Sequence, residues 1–173
     1  GVSSAASDVY KRQAETRLQM IELLSQAAGP AGMVGGQAID LGSVGRRLDQ
    51  QALEVMHRHK TGALIEASVA LGALASGNID ELAHKALLQY ARAIGLAFQV
   101  QDDILDVESD TATLGKTQGK DEAHDKPTYP ALLGLDAAKD YALELRDQAL
   151  HVLCPFGNSA AVSYTHLRAH ETK

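Results

Sequence analysis

The chain has 173 residues, a net charge of −6 and a single cysteine, Cys154. This length suits one domain with a substantial core. The acidic balance argues against nucleic acid as the main partner, and one thiol excludes a disulfide framework or a multi-thiolate metal site. No apolar run reaches the roughly 20 residues that cross a bilayer. We therefore expect a cytoplasmic protein with neither a membrane span nor a leader.

Helical periodicity dominates the interior of the chain. The absence of Trp and the small number of aromatic residues favour helices over sheets, so the predicted fold class is all-α. The predicted elements, in chain order, are a helix over 14–28, a glycine-rich segment over 32–36 that turns or admits another backbone, helices over 48–61 and 62–76, a long helix from 79 to about 107 capped by Asn78, a loop over 108–126, a helix restart at 128–130 and a helix over 136–153.

The two ends of the chain lack this periodicity. Residues 1–13 and 162–173 resemble translated linker or adaptor sequence, and we expect them to be non-native flanks of a domain over residues 14–160. Frayed natural termini are the alternative. Mass spectrometry of the protein from its natural source should find neither peptide if the flanks are non-native.

An acidic stretch in the long predicted helix carries the most chemical information. On a helix, Gln99, Asp102, Asp103 and Asp106 share one face, whereas apolar residues occupy most of the remaining surface. We therefore expect the helix to be buried, with its carboxylates facing a wet cavity. A divalent cation relieves the cost of unpaired buried carboxylates, and oxygen-only ligands suit Mg²⁺. An acidic stripe facing solvent is the alternative.

Two shorter motifs supply groups that suit a diphosphate. His57, Lys60 and Thr61 share a helix face and offer an imidazole, a cation and a hydroxyl. The alternative is that these basic side chains lie at the C-terminal end of a helix and interact favourably with the helix dipole. Gln37 and Asp40 lie three residues apart at a predicted helix start, where a cap and a turn would also explain them.

The loop after the acidic helix contains Lys116 and Lys126 beside two glycines. One interpretation is a lid that brings these lysines onto a phosphate. The other is a solvated loop whose lysines offset nearby acids.

In this order, the motifs resemble the trans-type polyprenyl diphosphate synthase family, particularly the bacterial farnesyl/geranylgeranyl diphosphate synthases. The likeness covers about residues 14–160. The resembling segments are Gly32-Met33-x-x-Gly36-Gln37-x-x-Asp40, His57-x-x-Lys60-Thr61-Gly62-Ala63-Leu64, Gly95-Leu96-Ala97-Phe98-Gln99-x-x-Asp102-Asp103-Ile104-Leu105-Asp106, Leu114-Gly115-Lys116-x-x-Gly119-x-Asp121 and Lys126-x-Thr128-Tyr129-Pro130. The resemblance implies an all-α isoprenoid-synthase helical bundle, truncated here because the family's first aspartate-rich motif would lie upstream of residue 1.

The resemblance also implies a role for each motif residue. Asp102, Asp103 and Asp106 would bind Mg²⁺ that bridges an allylic diphosphate. Lys60, Lys116, Lys126 and Gln37 would hold the diphosphate, and the residues that take part in catalysis would be Lys60, Thr61 and Gln99.

The implied reaction is the Mg²⁺-dependent head-to-tail condensation of an allylic diphosphate with isopentenyl diphosphate, in a full-length protein that forms a homodimer. Because the first aspartate-rich motif is missing, we expect the 173-residue chain to be inactive or nearly so. A terpene cyclase of the same fold and a non-catalytic helical subunit are the alternatives.

Overall fold

A computed structural model describes residues 14–77, 79–113 and 127–160. These residues form helices and turns with no strand among them, so the predicted all-α class is confirmed. The helices, in chain order, are α1 (Ala14–Ala28), α2 (Met33–Gly42), α3 (Gln50–His57), α4 (Ala63–Ser76), α5 (Glu81–Thr113), α6 (Tyr129–Leu133) and α7 (Leu135–Leu153), with a π-helical turn (Arg58–Gly62) between α3 and α4 and a 3₁₀ segment (Cys154–Ala160) after α7.

The hydrophobic core lies between α5 and α7 and is closed by α3 and α6. Its largest fully buried side chains are Leu53, Met56, Val100, Ile104 and Tyr129. Burial of an apolar side chain of this size contributes about 1.5–3 kcal/mol. The face of α7 that meets α5 contains three buried alanines, and such small side chains allow two helices to approach closely.

The π-helical turn joins α3 to α4 without breaking the helical path. His57 and Ala63, which flank the turn, both have right-handed helical backbone angles. A single π-turn inserts one extra residue into a helix and is frequent at functional sites. Here the inserted turn contains Lys60 and Thr61, two of the predicted site residues.

The glycine-rich segment 32–36 forms the start of α2 and admits a neighbouring backbone, as one of its two interpretations predicted. A Cβ atom on Gly36 would overlap the backbone nitrogen of Lys60 and would lie 2.6 Å from the carbonyl carbon of His59. Only glycine fits at this contact. The packing of α2 against the π-helical turn therefore depends on this residue.

Two expectations about helices differ from the structure, and one further feature, the exposure of α1, was not predicted. The start of α5 is capped by Asp80, whose Oδ1 accepts a hydrogen bond from Ala83 N at 2.7 Å, whereas the predicted cap, Asn78, lies outside the described residues. Helix α1 buries no side chain. Helix α5 is not buried on most sides, because Phe98 and Leu105 are 56% and 49% exposed. No helix in the described ranges is both long and apolar enough to cross a membrane.

Candidate functional site

The three predicted metal-binding aspartates of α5 have different environments. Asp103 is 8% exposed, and its Oδ2 accepts a hydrogen bond from the backbone N–H of Tyr129 at 3.0 Å. Asp102 and Asp106 are exposed to solvent, and neither side chain has a hydrogen bond or an ion pair with another described residue. The three carboxylates therefore do not share one environment, and the wet cavity in front of them stays a prediction.

Burial raises the pKa of Asp103 to about 6. The hydrogen bond from Tyr129 opposes this shift, the neighbouring charges of Asp102 and Asp106 add to it, and the positive charge of Lys60 lowers it. The site thus disfavours a full negative charge on Asp103 until a cation approaches. A divalent metal ion would supply such a charge.

His57 lies against Asp103 from the end of α3. Its ring is 6% exposed, its Nε2 lies 3.9 Å from Asp103 Oδ2, and it stacks on Tyr129 with centroids 5.7 Å apart. Burial, followed by the charge of Lys60, lowers the pKa of His57 to about 4. The imidazole is therefore neutral at pH 7, so His57 would meet a diphosphate as a neutral hydrogen-bond donor, and that role stays a prediction.

Lys60 and Asp40 form an ion pair between the π-helical turn and α2. Lys60 Nζ donates to Asp40 Oδ2 at 2.6 Å, with the two side chains 34% and 16% exposed. The half-exposed ammonium group has further donors free for an anion. Asp40, which the sequence alone left between a cap and a functional residue, is therefore the group that holds Lys60 in place.

Thr61 and Gln99 form a second link across the site. The hydroxyl of Thr61 donates to Gln99 Oε1 at 2.7 Å, between the π-helical turn and α5. This bond leaves the Thr61 oxygen as an acceptor and the Gln99 amide group as a donor. The structure thus brings together Thr61 and Gln99, two residues that the resemblance placed near the departing group.

Within the described ranges, the structure does not bring the other predicted diphosphate ligands together with Lys60, Thr61 and Gln99. Gln37 lies exposed on α2. Lys116 and Lys126 lie outside the described residues.

The three aspartates of α5 carry the kind of ligand atoms that Mg²⁺ prefers, but their side chains do not surround a common metal position. Asp102, Asp103 and Asp106 supply oxygen ligands, which Mg²⁺ prefers, and exposed carboxylates leave room for the waters that Mg²⁺ retains. However, among the described residues no three His, Cys, Asp or Glu side chains are placed to hold a metal ion together. Any cation at this face would share its coordination with groups beyond these side chains.

Sequence reasoning missed the role of the Tyr129 backbone. The available signal was the run Thr128-Tyr129-Pro130, which predicted a helix restart and is confirmed: Thr128 caps α6 by accepting a hydrogen bond from Ala131 N at 3.3 Å. The side-chain pattern gave no indication that the N–H of Tyr129 would meet a carboxylate 26 residues earlier in the chain.

The helical architecture and the residues of this face define the class of protein, which is an all-α bundle with the isoprenoid-synthase fold. The polyprenyl synthetase family model matches residues 2–151. The chain therefore belongs to the polyprenyl synthetase family.

Relatives and solved structures agree with this assignment. The chain is 58% identical over 133 residues to the farnesyl diphosphate synthase of Escherichia coli (strain K12), a match that covers 77% of this chain and 44% of that protein. It is similar, with a TM-score of 0.77 and 35% identity, to an FPP/GFPP synthase from Zymomonas mobilis, covering 91% of this chain and 51% of that one.

A second solved structure contains ligands. It is a geranyltransferase from Helicobacter pylori complexed with magnesium and isoprenyl diphosphate, which this chain matches with a TM-score of 0.70 and 35% identity over 91% of its own length and 50% of the other. The chain thus spans about half the length of the relatives that it matches.

Proposed function

We propose that this chain contributes the carboxylate and lysine side of the active site of a short-chain prenyl diphosphate synthase, of the farnesyl/geranylgeranyl type. One observation carries the proposal: the π-helical turn places Lys60 beside α2 and Thr61 against Gln99 of α5, and Gln99 lies one helical turn before Asp103 on the same helix. A cation donor, a hydroxyl–amide pair and carboxylates thus occupy neighbouring positions, as binding of a metal diphosphate requires.

The proposed roles follow from these groups. Asp102, Asp103 and Asp106 would hold Mg²⁺, which when bound neutralises charge on a diphosphate leaving group. Lys60 would donate to the diphosphate oxygens, together with Gln37, Lys116 and Lys126. Thr61 and Gln99 would orient the oxygen that departs, since their mutual hydrogen bond fixes both side chains.

The proposed reaction joins two diphosphates of different kinds. The carbon–oxygen bond of an allylic diphosphate breaks, the bonding electrons leave with the diphosphate, and an allylic cation remains. The π electrons of the double bond of isopentenyl diphosphate form a new carbon–carbon bond to this cation, which leaves a tertiary carbocation. Loss of a proton to the released diphosphate then forms a new carbon–carbon double bond. The side chains of this chain act on the departing diphosphate.

The 173-residue chain alone is proposed to turn over slowly or not at all. The chain covers about half the length of its relatives, and two of its three aspartates, Asp102 and Asp106, are exposed to solvent. A homodimer of the full-length protein belongs to the same proposal.

A binding measurement on the chain and a turnover measurement on a chimera test this proposal. Geranyl thiodiphosphate, which does not ionise readily, should bind the chain only with Mg²⁺ present, and Lys60→Met should weaken that binding by about tenfold or more. Lys85→Met is the matched control, because Lys85 is 66% exposed and pairs only with Glu81 within the described residues.

For turnover, this chain would replace the corresponding part of the Escherichia coli farnesyl diphosphate synthase. We expect the chimera to incorporate labelled isopentenyl diphosphate into farnesyl or geranylgeranyl diphosphate. Cyclic hydrocarbon products would instead indicate a terpene cyclase. Binding that does not depend on Mg²⁺ or on Lys60 would contradict the proposed site.

A further inference from the structure

Asp103 makes a contact that neither of its neighbouring aspartates makes. Its Oδ2 accepts the backbone N–H of Tyr129, the first residue of α6, at 3.0 Å in a buried setting. The N–H groups in the first turn of a helix have no acceptor within the helix. Asp103 therefore provides an acceptor for Tyr129, while Thr128 provides one for Ala131.

The donor in this contact is held rigidly. Tyr129 is fully buried, and its ring packs between the rings of His57 and Tyr141, with both centroid distances 5.7 Å. The neutral imidazole of His57 lies on the same side of the carboxylate, with Nε2 3.9 Å from Oδ2. Because His57 and Tyr129 are both buried, they restrict the rotation of the Asp103 carboxylate.

The two oxygens of Asp103 are therefore not equivalent. Oδ2 is directed toward Tyr129, so only Oδ1 remains without a hydrogen bond from a described residue. Asp102 and Asp106, by contrast, are exposed and must lose side-chain freedom when they bind a cation. Carboxylates that ligate metals are commonly oriented by hydrogen bonds from groups behind them.

We infer that the backbone N–H of Tyr129 is the positioning group for Asp103: it holds Oδ2, presents Oδ1 alone to a divalent cation, and thereby couples the first turn of α6 to cation binding on α5. The part of this inference that concerns the cation rests on the proposed function. The hydrogen bond between Tyr129 and Asp103 is observed in the structure and does not depend on that function.

Two substitutions at Tyr129 separate the N–H from the ring. Tyr129→Ala removes the ring and keeps the N–H, whereas Tyr129→Pro removes both. Proline is well tolerated at the first position of a helix, and the extended backbone of Thr128, with ψ 158°, suits a residue that precedes proline. The comparison of the two variants therefore isolates the loss of one donor.

The readout is the affinity of the 173-residue chain for inorganic pyrophosphate at fixed Mg²⁺, by calorimetry. We expect Tyr129→Pro to bind about tenfold more weakly than Tyr129→Ala, while the two have similar stability to urea. Equal affinities would overturn the positioning role, since a purely structural contact would affect both variants through stability alone.

A measurement on the unsubstituted chain keeps the inference testable if both variants fail to fold. The scalar coupling across the hydrogen bond, from the Tyr129 amide nitrogen to the Asp103 carboxyl carbon, should be detectable by NMR in Mg²⁺-free buffer. Absence of this coupling would overturn the inferred link alone. Absence of any Mg²⁺-dependent pyrophosphate binding would overturn the proposed function and the cation half of the inference. It would not affect the hydrogen bond between Tyr129 and Asp103.

Discussion

Lys60 and Asp40 illustrate how one ion pair can both build and limit a binding site. Asp40 holds Lys60 at 2.6 Å, so an incoming diphosphate must compete with Asp40 for the ammonium group. Substitution of Asp40 by Asn removes the competing charge and keeps a hydrogen-bond acceptor. We expect Asp40→Asn to strengthen Mg²⁺-dependent pyrophosphate binding by about fivefold, as a partly buried pair of about 1 kcal/mol implies.

Calorimetry on Asp40→Asn, with Lys60→Met as the opposite case, checks this expectation. Stronger binding in the first variant and weaker binding in the second would support competition for Lys60. Weaker binding in both would mean that Asp40 positions Lys60 and does not compete for it.

His57 and Asp103 make opposite contributions to the pH dependence of stability. Burial raises the pKa of Asp103 to about 6 and lowers that of His57 to about 4. Between pH 4 and 6 the folded pair keeps one proton, on Asp103, and the unfolded pair also keeps one, on His57. The two contributions therefore nearly cancel, because stability changes with pH only when the two states bind different numbers of protons.

Removal of either partner should reveal the contribution of the other. In His57→Gln, the folded chain binds the extra proton through Asp103, so the free energy of unfolding should rise, relative to the unsubstituted chain, as the pH falls from 6 to 4. In Asp103→Asn, the unfolded chain binds the extra proton through His57, so the free energy of unfolding should fall over the same range. Each relative slope should be about 1 kcal/mol per pH unit.

Urea unfolding between pH 4 and 6.5, in metal-free buffer, measures both slopes. The difference from the unsubstituted chain removes the titration of other groups. Parallel pH profiles for all three proteins would contradict the burial-driven pKa values.

At the scale of elements, the contact of α2 with the π-helical turn depends on one glycine. A Cβ on Gly36 would overlap the Lys60 backbone, and backbone cannot give way as a flexible side chain can. We expect Gly36→Ala to lower the free energy of unfolding by about 3 kcal/mol or more. It should also weaken pyrophosphate binding, because Lys60 must move.

Gly72→Ala is the matched control for this substitution. Gly72 lies in α4, and a Cβ there would meet no atom within 4 Å. Alanine should therefore stabilise the chain by about 0.5–1 kcal/mol through helix propensity. Denaturant titration of both variants checks the comparison, and a neutral Gly36→Ala would show that the two elements are not in tight contact.

Periodicity predicted the helices well because it reflects burial of one face. It placed α1 and α7 to within one residue at each end, and Leu53 and Met56, which lie three residues apart on α3, are both buried. It did not predict the π-helical turn, since one extra residue leaves no mark on side-chain type. Nor did it choose Asp80 over Asn78 as the cap of α5, because both residue types suit that position.

The sequence indicates candidate members of the site but not their geometry. The sequence named Lys60, Thr61, Gln99 and the three aspartates, and the structure pairs Thr61 with Gln99. The shared helix face did not predict the separate environment of Asp103, because a backbone donor from α6 reaches this carboxylate and neither of the other two. Such a contact depends on tertiary packing, which the spacing of residues along one helix does not encode.

At the scale of the whole molecule, apolar side chains are distributed unevenly between two sides. The core between α5 and α7 is well buried, whereas α1 buries no side chain. Leu18, Ile21 and Leu24, which the amphipathic pattern placed on one face, are 67%, 61% and 48% exposed. Exposed apolar side chains on one helix favour association with other protein surfaces.

This asymmetry predicts how the isolated chain behaves. Leu18→Gln combined with Ile21→Gln should reduce self-association of the 173-residue chain, and should change its free energy of unfolding by less than about 1 kcal/mol, because exposed side chains contribute little burial. Leu53→Ala should cost about 2–5 kcal/mol, because Leu53 is fully buried. Sedimentation velocity and urea unfolding of the three proteins measure both effects. A large loss of stability in the double variant would mean that the face of α1 is buried within the chain.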